Sequence, residues 1–474
     1  MRHAASSGRR PDSPGLLQLG DQPPESQWRD RSGFAPDSSA VAGSHHVTPG
    51  RPMPPASSRS SVFDRLRPQA YCLRVIEVIG LTARGWSDLP ERLRTAIQYA
   101  EVLLGSPRHF DLIPGIPGQQ RLAWPTPLRE ALPTLLRELA GRRVVALASG
   151  DPLVAGIGST LVDVLGSAAV RIHPAVSSVA LARARMGWPE ESAQLIRLRG
   201  ADLDALRRYL FPGRRLIILS RDAESPAEVA QLLTNEGYGD SVITVLGDLD
   251  SETESRTEAV ARAWIGHNAP ALNVICVACV GGAGRSASLA PGLPDDAFDH
   301  DGQLTKRDLR ASALAHLMPR PGELLWDAGA GAGSIAIEWL RADPGCRAIA
   351  IERNLDRVKR IRGNAEALGV PGLTVLHGEA PAVLASLPRP DAIFIGGGAS
   401  SETLQQCWSA LRPSGRLVVH AVTQETETIV IDCWKRHGGE LIRLAVEHLE
   451  PIGGYHGWRP ARAVVQWSAI KDTE

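Results

Sequence analysis

The chain has 474 residues, of which 43% are hydrophobic and 22% are charged. This length exceeds what one hydrophobic core supports, so two or three domains are expected in an ordinary globular protein. Lysine plus arginine equals aspartate plus glutamate, at 52 each, which argues against a protein that binds nucleic acid through bulk positive charge.

The first stretch, residues 1–68, is rich in Ser, Pro, Gly, Arg and Asp and has no periodic apolar positions. Such a composition cannot bury enough apolar surface to offset chain entropy, so disorder is predicted there. It contains no apolar segment typical of a secretory signal, and no apolar run in the chain approaches a membrane span. A cytoplasmic protein without membrane contact is therefore expected.

Residues 69–280 are predicted to form a first α/β domain. Strands are predicted at "CLRVIEVIG", "RRVVALAS", "AVRIHPAV", "RRLIILS", "DSVITVLGDL" and "LNVICVACV". Helical stretches lie between them at Pro90–Leu104, Ser178–Met186 and Pro226–Glu236. This alternation indicates largely parallel sheets. Cys276 and Cys279 fall in an apolar run without a second pair at zinc-site spacing, so we predict buried, reduced thiols and no metal site.

Residues 281–303 are rich in Gly, Ser, Pro and Asp and are predicted to form a linker. A second α/β domain then occupies residues 304–474. Helices separate its first five predicted strands, whereas none separates "ELIRLAVEHL" from "ARAVVQWSAI", which are expected to form a terminal hairpin.

A glycine loop follows the first strand of this second domain, in "LLWDAGAGAGSIAIEWL" (Leu324–Leu340). Such a loop opens a helix and lets a ligand approach backbone amides. Glu352 ends the next strand, where an acid binds ribose hydroxyls in both dinucleotide enzymes and methyltransferases. The predicted ligand-binding residues of the loop are Asp327, Gly329, Ala330, Gly331, Ala332 and Gly333.

Three details favour S-adenosylmethionine over a nicotinamide cofactor. An acid, Asp327, precedes the first glycine, and the glycine spacing departs from G-x-G-x-x-G. Glu379 and Ala380, in "HGEAP", follow the third strand near the expected adenine. The terminal hairpin is typical of class I methyltransferases, whereas a nicotinamide domain would continue with parallel strands.

The second half resembles the C-15-methylating, decarboxylating module of cobalamin biosynthesis. The resemblance rests on "TKRDLRA" (Thr305–Ala311), "FIGGG" (Phe394–Gly398) and "PIGGYHGWRPARAVVQW". It implies a Rossmann-like class I domain whose S-adenosylmethionine site includes Thr305.

The first half carries a second glycine motif, "ASGDPLVAGIGSTL", which resembles the G-D-P motif of the class III tetrapyrrole methylases. "VLLGSPRHF" and "HPAVSSVALARARMGWP" extend the likeness to the precorrin C-5-methylating module. The resemblance implies two α/β lobes with S-adenosylmethionine between them. Family members usually carry glycines after the first strand, where this chain has Thr82 and Ala83. The implied donor-site residues are Gly80, Gly150, Asp151, Ser177 and Ser178.

In one chain, the two modules resemble the fused C5,15-methylating, decarboxylating enzymes of cobalamin biosynthesis. The resemblance implies two S-adenosylmethionine sites, precorrin-6Y as the substrate, precorrin-8X as the product and a homo-oligomer. Because the macrocycle carries many carboxylates, cations are expected around it. The candidates are Lys306, Arg307, Arg310 and Arg459, with Tyr455 and His456 as candidate proton donors.

Three alternatives stay open at this point. The second-half loop could serve a nicotinamide-dependent oxidoreductase. Both implied folds also occur among RNA methyltransferases, although zero net charge disfavours that class. The first half could be a non-catalytic scaffold, because its first loop departs from the family pattern.

Overall fold

The described residues of the computed structural model are 75–198, 202–282 and 288–473, and they belong to one unit that runs from Pro68 to Glu474. The stretch 1–68, for which disorder is predicted, lies outside them. No described helix combines the length and hydropathy that crossing a membrane requires.

Five strands form the first sheet: β1 (Ile76–Leu81), β2 (Val102–Gly105), β3 (Gln120–Ala123), β4 (Val144–Ser149) and β5 (Val170–His173). All are parallel, in the order β3-β2-β4-β1-β5. The connecting helices are α1 (Glu91–Gln98), α2 (Pro107–Asp111), α3 (Leu128–Glu138) and α4 (Ile157–Leu165). The helix predicted for Pro90–Leu104 therefore stops early, because its last residues form β2.

A parallel sheet covered by helices needs apolar side chains on both faces, and β1 has them. Ile76 and Val78 pack into one core cluster, while Ile79 and Leu81 pack into another. Since side chains alternate along a strand, these two clusters cover opposite faces. The short apolar run of β1 therefore places this strand inside the sheet.

The second sheet contains β6 (Ala193–Arg197), β7 (Arg215–Leu219), β8 (Val242–Gly247), β9 (Ser255–Val260) and β10 (Asn273–Ala278). Its order is β6-β7-β10-β8-β9, and β6 and β7 are its parallel pair. The other described pairs are antiparallel. The prediction of largely parallel sheets is thus confirmed for the first sheet and wrong for the second, because a short loop turns β8 directly back into β9. Helices α5 (Ser178–Met186) and α6 (Ser225–Asn235) accompany this lobe.

The thiols of the described part of the chain are buried and free. Burial raises the pKa of Cys276 to about 12 and that of Cys279 to about 11. The prediction of buried thiols at these two positions is confirmed. Across the described ranges, no group of three or more His, Cys, Asp or Glu side chains is arranged to hold a metal ion.

The second half alternates helices and strands around one large sheet. Its strands are β11 (Leu324–Ala328), β12 (Arg347–Glu352), β13 (Thr374–His377), β14 (Ala392–Ile395), β15 (Arg416–Ala421), β16 (Glu440–Leu444), β17 (Glu447–Ile452), β18 (Tyr455–Pro460) and β19 (Val464–Ile470). Its helices are α7 (Arg307–Leu317), α8 (Ser334–Ala342), α9 (Leu355–Ala367), α10 (Ala380–Leu384), α11 (Ser401–Ala410) and α12 (Gln424–His437). The seven-stranded sheet has the order β13-β12-β11-β14-β15-β19-β16.

The terminal strands confirm the predicted hairpin and add a feature to it. β19 pairs antiparallel with both β15 and β16. Between β16 and β19, however, β17 and β18 form a separate two-stranded ribbon. Its turn uses Gly453, whose φ of +58° favours glycine. Arg459 lies on a strand of this ribbon.

The segment predicted as a linker packs closely on the second half over 292–298. The backbone amides of Gly292 and Leu293 donate hydrogen bonds to the carboxylate of Glu338, at 2.6 and 2.9 Å. The side chains of Leu293 and Phe298 are buried in the same core cluster as helix α8. This part of the segment is thus integrated with the second-half fold.

Candidate active site

The loop between β11 and α8 has the left-handed backbone that its glycines predict. Gly329, Gly331 and Gly333 have φ values of +72°, +60° and +77°. A Cβ on Gly329 would lie 2.7 Å from the carbonyl oxygen of Gly397, and one on Gly331 would lie 2.7 Å from that of Gln303. The glycines are therefore required both by conformation and by the close approach of neighbouring backbone.

Two acids stabilise this loop and the start of α8. Asp327 is buried, and its Oδ2 accepts a hydrogen bond from the amide of Ala336 at 3.1 Å. Burial raises the pKa of Asp327 to about 7, and the charge of Glu352 acts in the same direction. Glu352 accepts hydrogen bonds from the amides of Gly331 and Asn354, each at 2.9 Å.

A cavity of about 1270 Å³ opens at the carboxyl ends of the parallel strands. It joins the glycine loop to the start of α7, the loops after β13 and β14, and the base of the β17–β18 ribbon. The predicted site residues that line it are Thr305, Lys306, Arg307, Gly329, Ala330, Gly331, Glu352, Glu379, Ala380 and Arg459.

Three predicted ligand-binding residues lie behind the cavity wall. Asp327 and Ala332 are buried, and the carbonyl oxygen of Ala332 accepts a hydrogen bond from Asn364. Gly333 packs against Ile361, which a Cβ would approach to 2.7 Å. These residues shape the loop rather than face the cavity.

The cations around the cavity differ in how they are paired. Lys306 lies 3.5 Å from Asp295, and Arg459 lies 3.1 Å from Glu450. Arg307 and Arg462 are exposed and make no hydrogen bond or ion pair with the described residues. Arg462 is absent from the sequence-based prediction, although it stands only three residues after Arg459. Two guanidinium groups are thus available to an anionic ligand.

The prediction for Arg310 is wrong. This side chain is fully buried, and its Nε donates to Glu338 Oε1 at 2.6 Å. It also donates to the carbonyl oxygens of Leu293 and Thr305. Because the segment 292–298 covers this turn of α7, Arg310 clamps the segment to α8 and is not available to a substrate.

The predicted proton donors Tyr455 and His456 lie near the tip of the ribbon and are not among the cavity-lining residues. Tyr455 is 83% exposed. His448, Glu450 and Arg459 line the cavity from the base of the ribbon. Because side chains alternate along a strand and His456 is three positions from Arg459, His456 lies on the opposite face. The structure therefore does not support this pair as groups of the cavity.

His420, which the sequence analysis missed, lines the cavity near the end of β15. It is 5% exposed, and its Nε2 lies 2.9 Å from Oε1 of Gln466 on β19. Burial lowers the pKa of His420 to about 4. The available signal was a histidine near the end of the apolar run "GRLVVHAV", at the sheet edge where the other site residues also lie.

In the first half, the predicted residues converge at the carboxyl edge of the first sheet. A Cβ on Gly80 would lie 1.9 Å from the carbonyl oxygen of Gly150. Gly150 has a φ of +55°, and a Cβ there would lie 2.9 Å from Cα of Ser177. Asp151 closes the turn by accepting from the amide of Leu153 at 2.8 Å.

Helix α5 begins at this same edge. Ser177 is its N-cap and accepts from the amide of Ala180 at 3.1 Å, and the exposed Ser178 follows. In the loop after β1, the hydroxyl of Thr82 donates to Asp88 at 2.7 Å. Thr82 thus stabilises the turn that follows the strand.

Comparison with known proteins matches both halves to methyltransferase families. Residues 75–257 match the family model of the tetrapyrrole (corrin/porphyrin) methylases, and residues 296–471 match the precorrin methyltransferase domain. A precorrin-6Y C(5,15)-methyltransferase [decarboxylating] from Sinorhizobium sp is 43% identical over 399 residues, covering 84% of this chain and 96% of the relative. The chain belongs to the precorrin-6Y C(5,15)-methyltransferase (decarboxylating) family.

Further relatives carry the same description. The precorrin-6Y C(5,15)-methyltransferase of Mycobacterium tuberculosis (strain ATCC 25618 / H37Rv) is 42% identical, over 84% of this chain and 100% of its own. The solved C-terminal domain of precorrin-6Y C5,15-methyltransferase from Rhodobacter capsulatus is 46% identical, covers 39% of this chain and 100% of that chain, and has a TM-score of 0.38. The sequence-based assignment to this family and to the methyltransferases is confirmed, and neither the oxidoreductase nor the RNA methyltransferase alternative is supported.

Proposed function

We propose that this chain transfers two methyl groups from S-adenosylmethionine to precorrin-6Y, at C-5 and C-15, and removes carbon dioxide from the ring-C acetate to give precorrin-8X. The names of the curated relatives state both methylations and the decarboxylation. The first half, a class III fold, methylates C-5. The second half, a Rossmann-like class I domain, methylates C-15 and decarboxylates.

One observation carries the assignment of the second half, namely that a single cavity joins the glycine loop to a wall with unpaired cations. Gly329, Ala330 and Gly331 line this cavity, so a ligand bound there would lie against the backbone of the loop. S-adenosylmethionine fits this site, because Glu352 lines the cavity and can accept from ribose hydroxyls, while the amides of Gly329 and Ala330 donate to the carbonyl oxygen of Ile351 and hold the loop. When bound, it supplies an electrophilic methyl group.

The residues of the chain act by binding and orienting. A meso carbon of a reduced tetrapyrrole is already nucleophilic, so alignment with the methyl donor supplies much of the rate enhancement. Arg307 and Arg462, with Lys306 and Arg459 beside them, bind the carboxylates of the macrocycle through charge-assisted hydrogen bonds. This arrangement fixes which edge of the ring enters the cavity.

The first half holds its own S-adenosylmethionine at the carboxyl edge of the first sheet. By its resemblance to the tetrapyrrole methylases, the backbone around Gly80 and Gly150, with Asp151, binds the donor. Ser177 and Ser178, at the start of α5, seat its methionine end. The chain therefore binds one donor molecule per domain. A homo-oligomer and a cytoplasmic location stay predictions.

The test is to incubate the purified chain with S-adenosylmethionine and precorrin-6Y and to determine the mass of the product by mass spectrometry. We expect a gain of two methyl groups and a loss of one carbon dioxide. One methyl gain with that loss would show that the first half is a scaffold. An unchanged macrocycle would overturn the proposal.

A further inference from the structure

The proposed reaction moves protons as well as methyl groups, and this inference rests on that reaction. A meso carbon that gains a methyl group and returns to the conjugated ring must lose its hydrogen as a proton. An acetate that loses carbon dioxide leaves a methylene carbon that must gain a proton to become a methyl group. The second half therefore needs a group that can accept one proton and deliver one.

His420 is placed to serve both needs. It lines the cavity near the end of β15 and is distant in sequence from the predicted site residues. Its Nε2 faces the carbonyl oxygen Oε1 of Gln466 at 2.9 Å, so Nε2 carries hydrogen and donates it. Nδ1 makes no hydrogen bond with the described residues and is not among their buried, unpaired polar atoms. Nδ1 is thus the basic nitrogen and keeps access to the cavity.

A chain of polar side chains extends behind His420. Gln466 is fully buried, and its Nε2 lies 3.1 Å from Nδ1 of His316. Nε2 of His316 lies 3.1 Å from Glu440, whose side chain is exposed. Nδ1 of His316 also lies 2.8 Å from the carbonyl oxygen of Ser312, to which it donates when it carries hydrogen, and it accepts from Gln466 when it does not. In that state the amide oxygen of Gln466 must face His420.

We propose that His420 is the proton-handling residue of the second-half cavity and that Gln466 is its positioning residue. Nδ1 of the neutral imidazole accepts the proton from the methylated meso carbon, and the C–H electron pair stays in the conjugated ring. At the acetate, the bond to the carboxylate breaks, carbon dioxide leaves and its electron pair passes into the ring. That pair then forms a C–H bond with the proton returned from the imidazolium, so protons and electrons balance.

The environment of His420 favours both the uptake and the return of the proton. Burial keeps the ring neutral before the reaction, because the pKa of His420 lies at about 4. Once protonated, the imidazolium keeps its hydrogen bond to Gln466 Oε1, which favours the charged form. The edge-on contact with Phe394, at 5.0 Å between ring centroids, holds the plane of the imidazole.

The experiment compares the full-length chain with His420→Ala and with His456→Ala as the matched control on the ribbon. With precorrin-6Y and S-adenosylmethionine, we expect His420→Ala to lower the rate of C-15 methylation with decarboxylation by about 100-fold or more. A product with one added methyl and no loss of carbon dioxide should accumulate. Donor binding by calorimetry should stay within about twofold, and added imidazole should restore part of the rate.

Two further readouts keep the proposal testable if the alanine variant does not fold. In a single turnover, wild-type enzyme given precorrin-6Y deuterated at C-15 should place deuterium in the methyl group left by decarboxylation. Gln466→Leu should lower kcat with little change in KM, whereas Gln466→Glu, which keeps an oxygen opposite His420, should restore most of it.

The outcomes separate the inference from the proposed function. An inactive wild-type enzyme would overturn the function itself. If the wild type is active, three results would each overturn the inference: full activity of His420→Ala, loss of activity in His456→Ala alone, or no deuterium in the product methyl group.

Discussion

The carboxylate of Glu352 accepts a hydrogen bond from the amide of Gly331 at 2.9 Å, so the acid that ends β12 holds the glycine loop that follows β11. The same side chain accepts from the amide of Asn354 and lines the cavity. Loop conformation and ligand binding thus depend on one carboxylate.

Glu352→Ala should weaken donor binding in the second half. A hydrogen bond to a charged group contributes about 1.5–3 kcal/mol, which corresponds to a loss of affinity of about 10- to 150-fold. Calorimetry should find two binding events in the wild type and one tight event in the variant. Glu366→Ala is the control, because that side chain is exposed on α9 and lies outside the cavity. If Glu352→Ala bound S-adenosylmethionine as tightly as the wild type, the assignment of Glu352 to the second-half donor site would be contradicted.

Asp327 should make the protein less stable as the pH rises. Burial raises its pKa to about 7, so between pH values of about 4 and 7 the folded state holds a proton that the unfolded chain has released. The free energy of unfolding therefore falls across that range. Asp327→Asn removes the charge and keeps an oxygen for the amide of Ala336.

Thermal denaturation of this variant and the wild type at pH 5 and pH 8 tests the effect. The gain in Tm of Asp327→Asn over the wild type should be larger at pH 8. Asp356→Asn, on the exposed start of α9, should show no such difference between the two pH values. An equal gain for Asp327→Asn at both pH values would argue against a raised pKa.

Arg462→Ala should raise the KM for the tetrapyrrole on the order of tenfold, because it removes an unpaired guanidinium from the cavity wall. Arg307→Ala should do the same, with kcat changed less than KM. Arg362→Ala is the control, since Arg362 is exposed on α9 outside the cavity. Steady-state kinetics at saturating donor distinguishes the variants, and a normal KM for both cavity variants would place substrate binding elsewhere.

Arg310→Leu should act on stability instead of substrate affinity. Its removal leaves the buried carboxylate of Glu338 without its cation, at a cost of about 3–5 kcal/mol. Urea denaturation should therefore show a lower midpoint, whereas Arg462→Ala should unfold like the wild type. A normal midpoint together with a raised KM would reinstate Arg310 as a substrate ligand.

The glycine loop could be predicted from the sequence, because there the same residues determine both the local backbone and the ligand site. Gly329 and Gly331 follow a buried strand, and their backbone must be left-handed, so the loop and its ligand face could be predicted together. The register of β11 with β12 then places Glu352 beside the loop, as the strand order of such a sheet requires.

The roles of other residues could not be predicted, because they depend on segments that are distant in the sequence. Arg307 and Arg310 lie on the same helix, and only the packing of residues 292–298 decides that one is exposed and the other buried. The face of β18 on which His456 lies follows from the pairing of β17 with β18, a ribbon that could not be predicted from the sequence. His420 depends on Gln466, 46 positions later.

The clamp at Glu338 also dictates how the two halves can be separated for study. A fragment beginning at residue 304 would lack the amides of Gly292 and Leu293. The buried carboxylate of Glu338 would then keep Arg310 as a partner but lose both backbone hydrogen bonds. An independently expressed second half should therefore start upstream of Gly292, and gene fission or domain exchange at the boundary suggested by composition alone would damage the very module it aims to isolate.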